Sequence, residues 1–198
     1  FSFVGDIMWQ EQPSGFAVPV ADRLVGDVRM GNLETPVSDL HSTEPGDLGT
    51  FAFNSPPEIL DALPLDLLQL NNNHSLDAGN DGLEATVQAV EAHGYRSTGV
   101  DTHVRVLTYT WGLNERIVEP THELFVVPFG HVGPVDITSI AADIAASTED
   151  LVVVMLHWGY EYEYYPDPQF MVIARQIIAA GADLVVGSGP HEIGRAHV

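Results

Sequence analysis

Leu151-Val152-Val153-Val154-Met155-Leu156 is an unbroken apolar run, and it leads into His157-Trp158-Gly159-Tyr160-Glu161. A run of this kind suits a strand covered on both faces, the usual state of a strand in a parallel sheet. A helical pattern follows over residues 167–180 and stops at Gly181, and a last short strand spans 183–186. Strand, loop and helix in this succession predict an α/β fold.

The same alternation runs upstream. Phe1–Val4, Val28–Asn32 and Leu65–Leu70 read as strands. Pro56-Pro57 opens a short helix reaching Ala62, since proline suits a first helical turn. Asn80 is placed to cap a helix from Asp81 to His93; Leu83, Val87 and Val90 share one face of it, and Gly94 ends it. Val104–Thr110, Arg116–Glu119 and Leu124–Pro128 read as strands, and Ile137–Ala146 as a helix. Residues 9–26 and 35–50 are punctuated by turn formers and read as loop, the first with a helical turn in it.

Composition narrows the function. At 198 residues and 45% hydrophobic the chain suits one domain with a real core. Its net charge is -21, from 28 acids against 7 bases, all of them Arg. That balance disfavours nucleic acid and anionic lipid as partners, because both demand basic clusters. No uncharged apolar run is long enough to span a membrane. Cysteine is absent, which excludes disulfides and thiolate metal sites. The chain opens on an apolar strand without Met, and Ile193–Val198 reads as a translated sequencing adapter. The expectation is a metagenomic fragment, with one domain over 1–192 and a non-native tail over 193–198.

Five segments each end a strand and each carry a potential ligand: Gly5-Asp6, Asn32-Leu33-Glu34, Asn71-Asn72-Asn73-His74, His157 to Glu161, and Gly187-Ser188-Gly189-Pro190-His191. In open α/β sheets, sites form beyond the carboxyl ends of the strands, so these segments are expected to share a rim. Asp6 and Glu34 offer hard anionic oxygens, with Glu34 able to bridge two cations. Asn73 offers a neutral amide oxygen, and His157 and His191 offer imidazole nitrogens. Mixed oxygen and nitrogen donors suit two divalent cations of the Mn, Fe or Zn kind better than Ca. His74 is placed to protonate a leaving oxygen or stabilise a transition state, with Asp77 orienting it through its other ring nitrogen.

Each residue alone has a plainer reading. Asp6 suits a turn, Glu34 a solvated loop, Asn71–Asn73 a left-handed turn, and His157 a hydrogen-bonded core position. Tyr160, Tyr162, Tyr164 and Tyr165 suit pocket walls or strand packing equally. His41, His93, His103, His122 and His131 lie outside the five segments and read as surface residues. Five coincidences at one rim weigh more than one.

In order, the segments resemble the CapA family, the capsule and poly-γ-glutamate synthesis proteins with a metallophosphoesterase-like fold. The resemblance rests on Gly5-Asp6-Ile7-Met8, Asn32-Leu33-Glu34, Pro56-Pro57-Glu58, Asn72 to Gly79, His157-Trp158-Gly159-Tyr160-Glu161-Tyr162, Gln169, and Gly181-Ala182-Asp183 leading to Pro190-His191. It implies a four-layer α/β/β/α sandwich, cut short at the C-terminus, with a site built from Asp6, Glu34, Asn73, His74, His157 and His191. It implies a metal-dependent phosphoesterase-type hydrolase of the cell envelope, acting on an anionic polymer or phosphoester. The alternative is a non-catalytic scaffold or polymer-handling member with a degenerate metal site. Two departures stand out. Met8 occupies a position that is His in a typical metallophosphoesterase, and Gly189 replaces the first of two final histidines. Each removes a nitrogen ligand.

Overall fold

A computed structural model describes residues 1–8, 18–44, 46–61, 63–97, 103–114 and 136–192. Two three-stranded parallel sheets organise it. The first has β1 (Ser2–Ile7), β2 (Arg29–Leu33) and β3 (Leu67–Gln69) side by side in that order; the second has β4 (Val104–Thr110), β5 (Leu151–His157) and β6 (Leu184–Ser188). The helices are α1 (Val18–Ala21), α2 (Gly79–Ala92), α3 (Thr138–Ala146) and α4 (Pro168–Ala179), with a 3₁₀ turn at Pro57–Leu60.

β5 shows why its sequence is apolar at every position. Side chains alternate across a strand. Val152, Val154 and Leu156 pack into one cluster with Ile140 and Ile144 of α3 and with Phe170, Ile173 and Ile177 of α4. Val153 and Met155 point the other way, into a cluster with Val106 of β4 and with Met30 and Leu67 of the first sheet. The two sheets therefore meet face to face. On the far side of the first sheet, Ile7, Leu33 and Leu68 pack with Ile59 and Leu60 of the 3₁₀ turn and with Val90 of α2. Each such side chain contributes about 1.5–3 kcal/mol by leaving water. Asp167 caps α4 by accepting from the Gln169 amide at 2.9 Å, and Gly181 (φ 116°) lets the chain leave that helix.

Several sequence expectations shift by a few residues, and the shifts matter at the site. β1 does not stop at Val4 but runs to Ile7, so Asp6 lies within the strand and pairs with Asn32. A register irregularity between Phe3 and Asp6 lets the strand continue. β6 likewise continues past Val186 to Ser188. Asn80 does not cap α2: Ala78 holds that position without a side-chain bond, and Asn80 is already in the first turn. Left-handed Gly79 (φ 69°) makes that entry, which a residue with a Cβ resists. The strands expected at Arg116–Glu119 and Leu124–Pro128, the histidines at 122 and 131, and the tail at 193–198 lie outside the described residues. Tyr160 packs against Phe170 and Trp111, whereas Tyr162, Tyr164 and Tyr165 are exposed. No helix of the described residues is long and apolar enough to cross a membrane.

Candidate metal centre

Parallel pairing carries the strands' carboxyl ends to one rim of each sheet, and the face-to-face packing brings the rims together. Asp6 is the last residue but one of β1, Glu34 follows β2, and His157 ends β5, directly beside Ser188 of β6 and Thr110 of β4. His191 follows β6. His74 sits in the turns after β3.

The focus is one oxygen. Glu34 Oε1 lies 3.3 Å from His191 Nε2, 3.6 Å from His157 Nε2 and 3.9 Å from His74 Nε2. Asp6 closes the cluster, with Oδ2 3.7 Å from His191 Nε2 and Oδ1 3.9 Å from His157 Nδ1. Asp6, Glu34 and His191 each bring one donor atom within 4.8 Å of the other two. The cluster is buried at Glu34, His74 and His157 and opens at His191, whose side chain is 25% exposed.

His74 has its own support. Its Nδ1 lies 2.6 Å from Asp77 Oδ2, and the Phe53 amide donates to the same oxygen at 2.8 Å. The Phe53 ring packs on the imidazole with centroids 4.7 Å apart. Asn73 lies in the same turns, one residue before His74. Its Nδ2 donates to Asn114 Oδ1 at 3.2 Å, and its Oδ1 is buried with no hydrogen-bond partner.

Three polar residues carry more of this geometry than their sequence positions suggest. Asn32 is fully buried, and its Nδ2 donates to Asp6 Oδ1 at 2.7 Å while lying 3.2 Å from His157 Nδ1 and 3.5 Å from Glu34 Oε2. An amide has two hydrogens, so it cannot serve all three acceptors at once. Its Oδ1 accepts from Asn72 Nδ2 at 3.1 Å. A period of two places Asn32 and Glu34 on one face of a strand, and that signal finds it. Ser188 Oγ lies 3.2 Å from His157 Nδ1, and the Asn114 amide lies 3.3 Å from His74 Nδ1. No local pattern marks Asn114, because its contact depends on two distant loops meeting.

The electrostatics describe a site that resists its own charge. Burial, reinforced by the neighbouring Asp6 carboxylate, pushes Glu34 up to about 9. Burial pulls His157 down to about 4, against the opposing pull of Asp6. A divalent cation among these atoms relieves both penalties, since it favours the carboxylate and needs the neutral imidazole. The donor set fits such an ion. It holds two carboxylates and imidazole nitrogens in one buried cluster, with the unpartnered Asn73 oxygen nearby in sequence to His74.

Known proteins bear on this geometry. A probable polyglutamine synthesis accessory protein of Mycobacterium tuberculosis is 28% identical over 205 residues, covering 90% of this chain and 53% of that protein. The capsule biosynthesis protein CapA of Bacillus anthracis is 30% identical over 141 residues, covering 63% of this chain and 34% of that protein. The PGA biosynthesis protein CapA of Bacillus subtilis is 48% identical over a 42-residue stretch, 21% of this chain and 11% of that protein. The chain spans about half the length, or less, of these curated relatives. The profile of the family described as bacterial capsule synthesis protein PGA_cap matches residues 1–108 and 101–198, both halves of the chain and every segment of the cluster. This protein therefore belongs to the bacterial capsule synthesis protein family PGA_cap.

Proposed function

We propose that this domain serves the synthesis or export of a cell-envelope polymer of the capsule or poly-γ-glutamate kind, and that its cluster is a divalent-metal-dependent hydrolase site for a phosphoester-type bond. The observation that carries the hydrolase reading is Glu34 Oε1 with three imidazole nitrogens within 4 Å and Asp6 beside it. The polymer reading rests on the family and on the names of the relatives. The three apolar clusters support reading the fold as a four-layer α/β/β/α sandwich of metallophosphoesterase type, with one cluster between each pair of layers.

Asp6, Glu34, His157 and His191 are the residues that would hold cations, with Asn73 Oδ1 as a neutral donor. Bound Mn, Fe or Zn supplies Lewis acidity toward a phosphoryl oxygen and acidifies water. Asp77 Oδ2 accepts the Nδ1 proton of His74 and fixes the ring. His74 Nε2, turned toward the cluster, then holds the proton that a leaving oxygen needs. The chain's own charge of -21 repels a polyanion at long range, so local cations also make approach of such a substrate favourable.

The test is to express the protein, measure bound Mn, Fe and Zn, and assay a generic phosphodiester with and without His74→Ala. Metal content near or above one equivalent and turnover lost in the variant are expected. One observation favours the alternative, a polymer-handling member with a degenerate site: Gly189 supplies no ligand. Absence of both metal and His74-dependent turnover would establish that alternative and remove the enzyme.

A further inference from the structure

The geometry points to a site that holds one cation tightly rather than two, because the backbone at Gly189 bars the imidazole that a second tight position needs. The inference rests on the metal reading above and goes further by fixing stoichiometry and naming its structural cause.

The segments after β5 and β6 are clasped together. The Trp158 amide donates to the Ser188 carbonyl at 2.9 Å, and the Tyr162 amide donates to the Pro190 carbonyl at 2.7 Å. Within this clasp four non-helical residues turn left-handed: Gly159 (φ 98°), Tyr162 (φ 65°), Gly189 (φ 117°) and His191 (φ 55°). Positive φ in residues that carry a Cβ is costly and marks a conformation the surroundings impose. The outcome of the turn is His191 Nε2 held against both carboxylates.

Gly189 cannot contribute a second ring in this turn. A Cβ there would stand 2.8 Å from the Trp158 carbonyl oxygen, 3.3 Å from the Trp158 nitrogen and 3.4 Å from His157 Cε1. The first two are backbone atoms of a residue whose amide is held by Ser188, so they do not yield as a flexible side chain does. Glycine is thus what the turn requires, and not simply a ligand lost in place. Gly189 lies beside His157, on the flank where a second cation would gain an imidazole.

The two positions are therefore unequal. One has Asp6, Glu34 and His191: two carboxylates and an imidazole, already within 4.8 Å of one another. The other has the Glu34 oxygen, which the first position also uses, and His157 Nε2 at 3.6 Å from it. Affinity for a divalent cation follows ligand charge and count, so the first position dominates.

Titration of metal-free protein with Mn²⁺, followed by calorimetry and electron paramagnetic resonance, decides the matter without an activity readout. One tight equivalent is expected, with an uncoupled spectrum and any second equivalent at least about 100-fold weaker. Two equivalents within about 10-fold of each other, or an exchange-coupled spectrum, overturn the inference. No Mn²⁺ binding at all overturns the metal reading itself, a separate result. His191→Ala should remove the tight equivalent, whereas His157→Ala should leave its affinity within about 10-fold. Gly189→His should add no tight equivalent, and Gly189→Ala, which adds only the Cβ, should lower the melting temperature. A second tight equivalent in Gly189→His would show that the clasp yields and would sink the backbone argument.

Discussion

The two rims of the sheets use the same residue types in opposite ways. At the amino ends, charges pair one to one in partial contact with water. Asp66, before β3, takes three bonds from Arg29, before Met30 of β2: from Nε at 2.9 Å, from a terminal guanidinium nitrogen at 2.8 Å and from the backbone amide at 2.8 Å. Asp183, before β6, accepts from the Val152 amide at 2.7 Å, and His103 pairs with Asp150 in the open. At the carboxyl ends, two carboxylates and three imidazoles gather in burial with no arginine among the contacts described. Arg29 holds the Asp66 carboxyl below its usual range, whereas burial drives Glu34 far above its own. One rim offsets its charges with partners of opposite sign, and the other gathers carboxylates and imidazoles in burial without one, which is the arrangement the metal reading expects.

The sharpest way to break this contrast is to delete one carboxylate from each rim. Glu34→Ala should weaken Mn²⁺ binding by more than about 100-fold, beyond the usual loss from a residue that only supports a ligand. Asp66→Ala should leave that affinity unchanged by calorimetry. Equal effects from the two variants would mean that general destabilisation, not a built site, governs metal affinity. Next in size is Asp77→Asn. It keeps the shape beside His74 Nδ1 but removes the charge that orients the ring, and phosphodiester turnover should fall about 10- to 100-fold with bound metal unchanged. Loss of metal in parallel would move His74 and Asp77 into the ligand set.

Much of this architecture is legible in the chain. β5 declares itself because both of its faces are buried, one against α3 and α4 and the other against the first sheet. α4 is legible from its helical pattern and its terminal glycine, whereas its Asp167 cap is seen only in the structure. The segments that meet at Glu34 Oε1 are legible because chemistry-bearing residues recur after apolar runs. What escapes is set by tertiary contact or by backbone angle. The end of β1 escapes because a register irregularity carries the strand through Asp6. The start of α2 escapes because Gly79, not Asn80, makes the turn. A period of two puts Asn32 on the face of Glu34, but its bonds to Asp6 and His157 escape because those partners lie 26 and 125 residues away. Gly189 is readable as a missing imidazole; that the turn excludes one is not.

The pH dependence of the metal-free protein measures the strain at the buried rim. His157 is lowered in the fold to about 4, so the unfolded chain binds more protons between about 4 and 6.5, and this group makes stability rise with pH there. Glu34 is raised to about 9, so the folded chain binds more protons from about 4.5 upward, and stability falls with pH until about 9. The two oppose each other below about 6.5, and above it only the fall remains, at most about 1.4 kcal/mol per pH unit. Denaturant titrations at pH 7 and 8.5 should show the loss, Glu34→Gln should flatten it, and saturating Mn²⁺ should reverse it, since metal binds the deprotonated form. A flat profile in the native sequence would mean that Glu34 is ionised without a cation.

The smallest effect belongs to the satisfied rim. Arg29 and Asp66 are 34% and 41% exposed, so water and salt screen their attraction even though the geometry is bidentate. Asp66 is lowered in the fold, so its contribution is complete above the ordinary carboxylate range and is lost as pH falls through the folded value, the opposite sense to Glu34. Arg29→Ala should therefore lower the melting temperature by no more than about 3 °C at neutral pH, less in 1 M salt, and not at all once Asp66 is protonated. A larger, salt-insensitive loss would show that the Arg29 stem packs against the sheet edge rather than acting through charge. The amino-end rim would then be a structural seam, and the contrast with the carboxyl-end rim would rest on packing rather than on electrostatics.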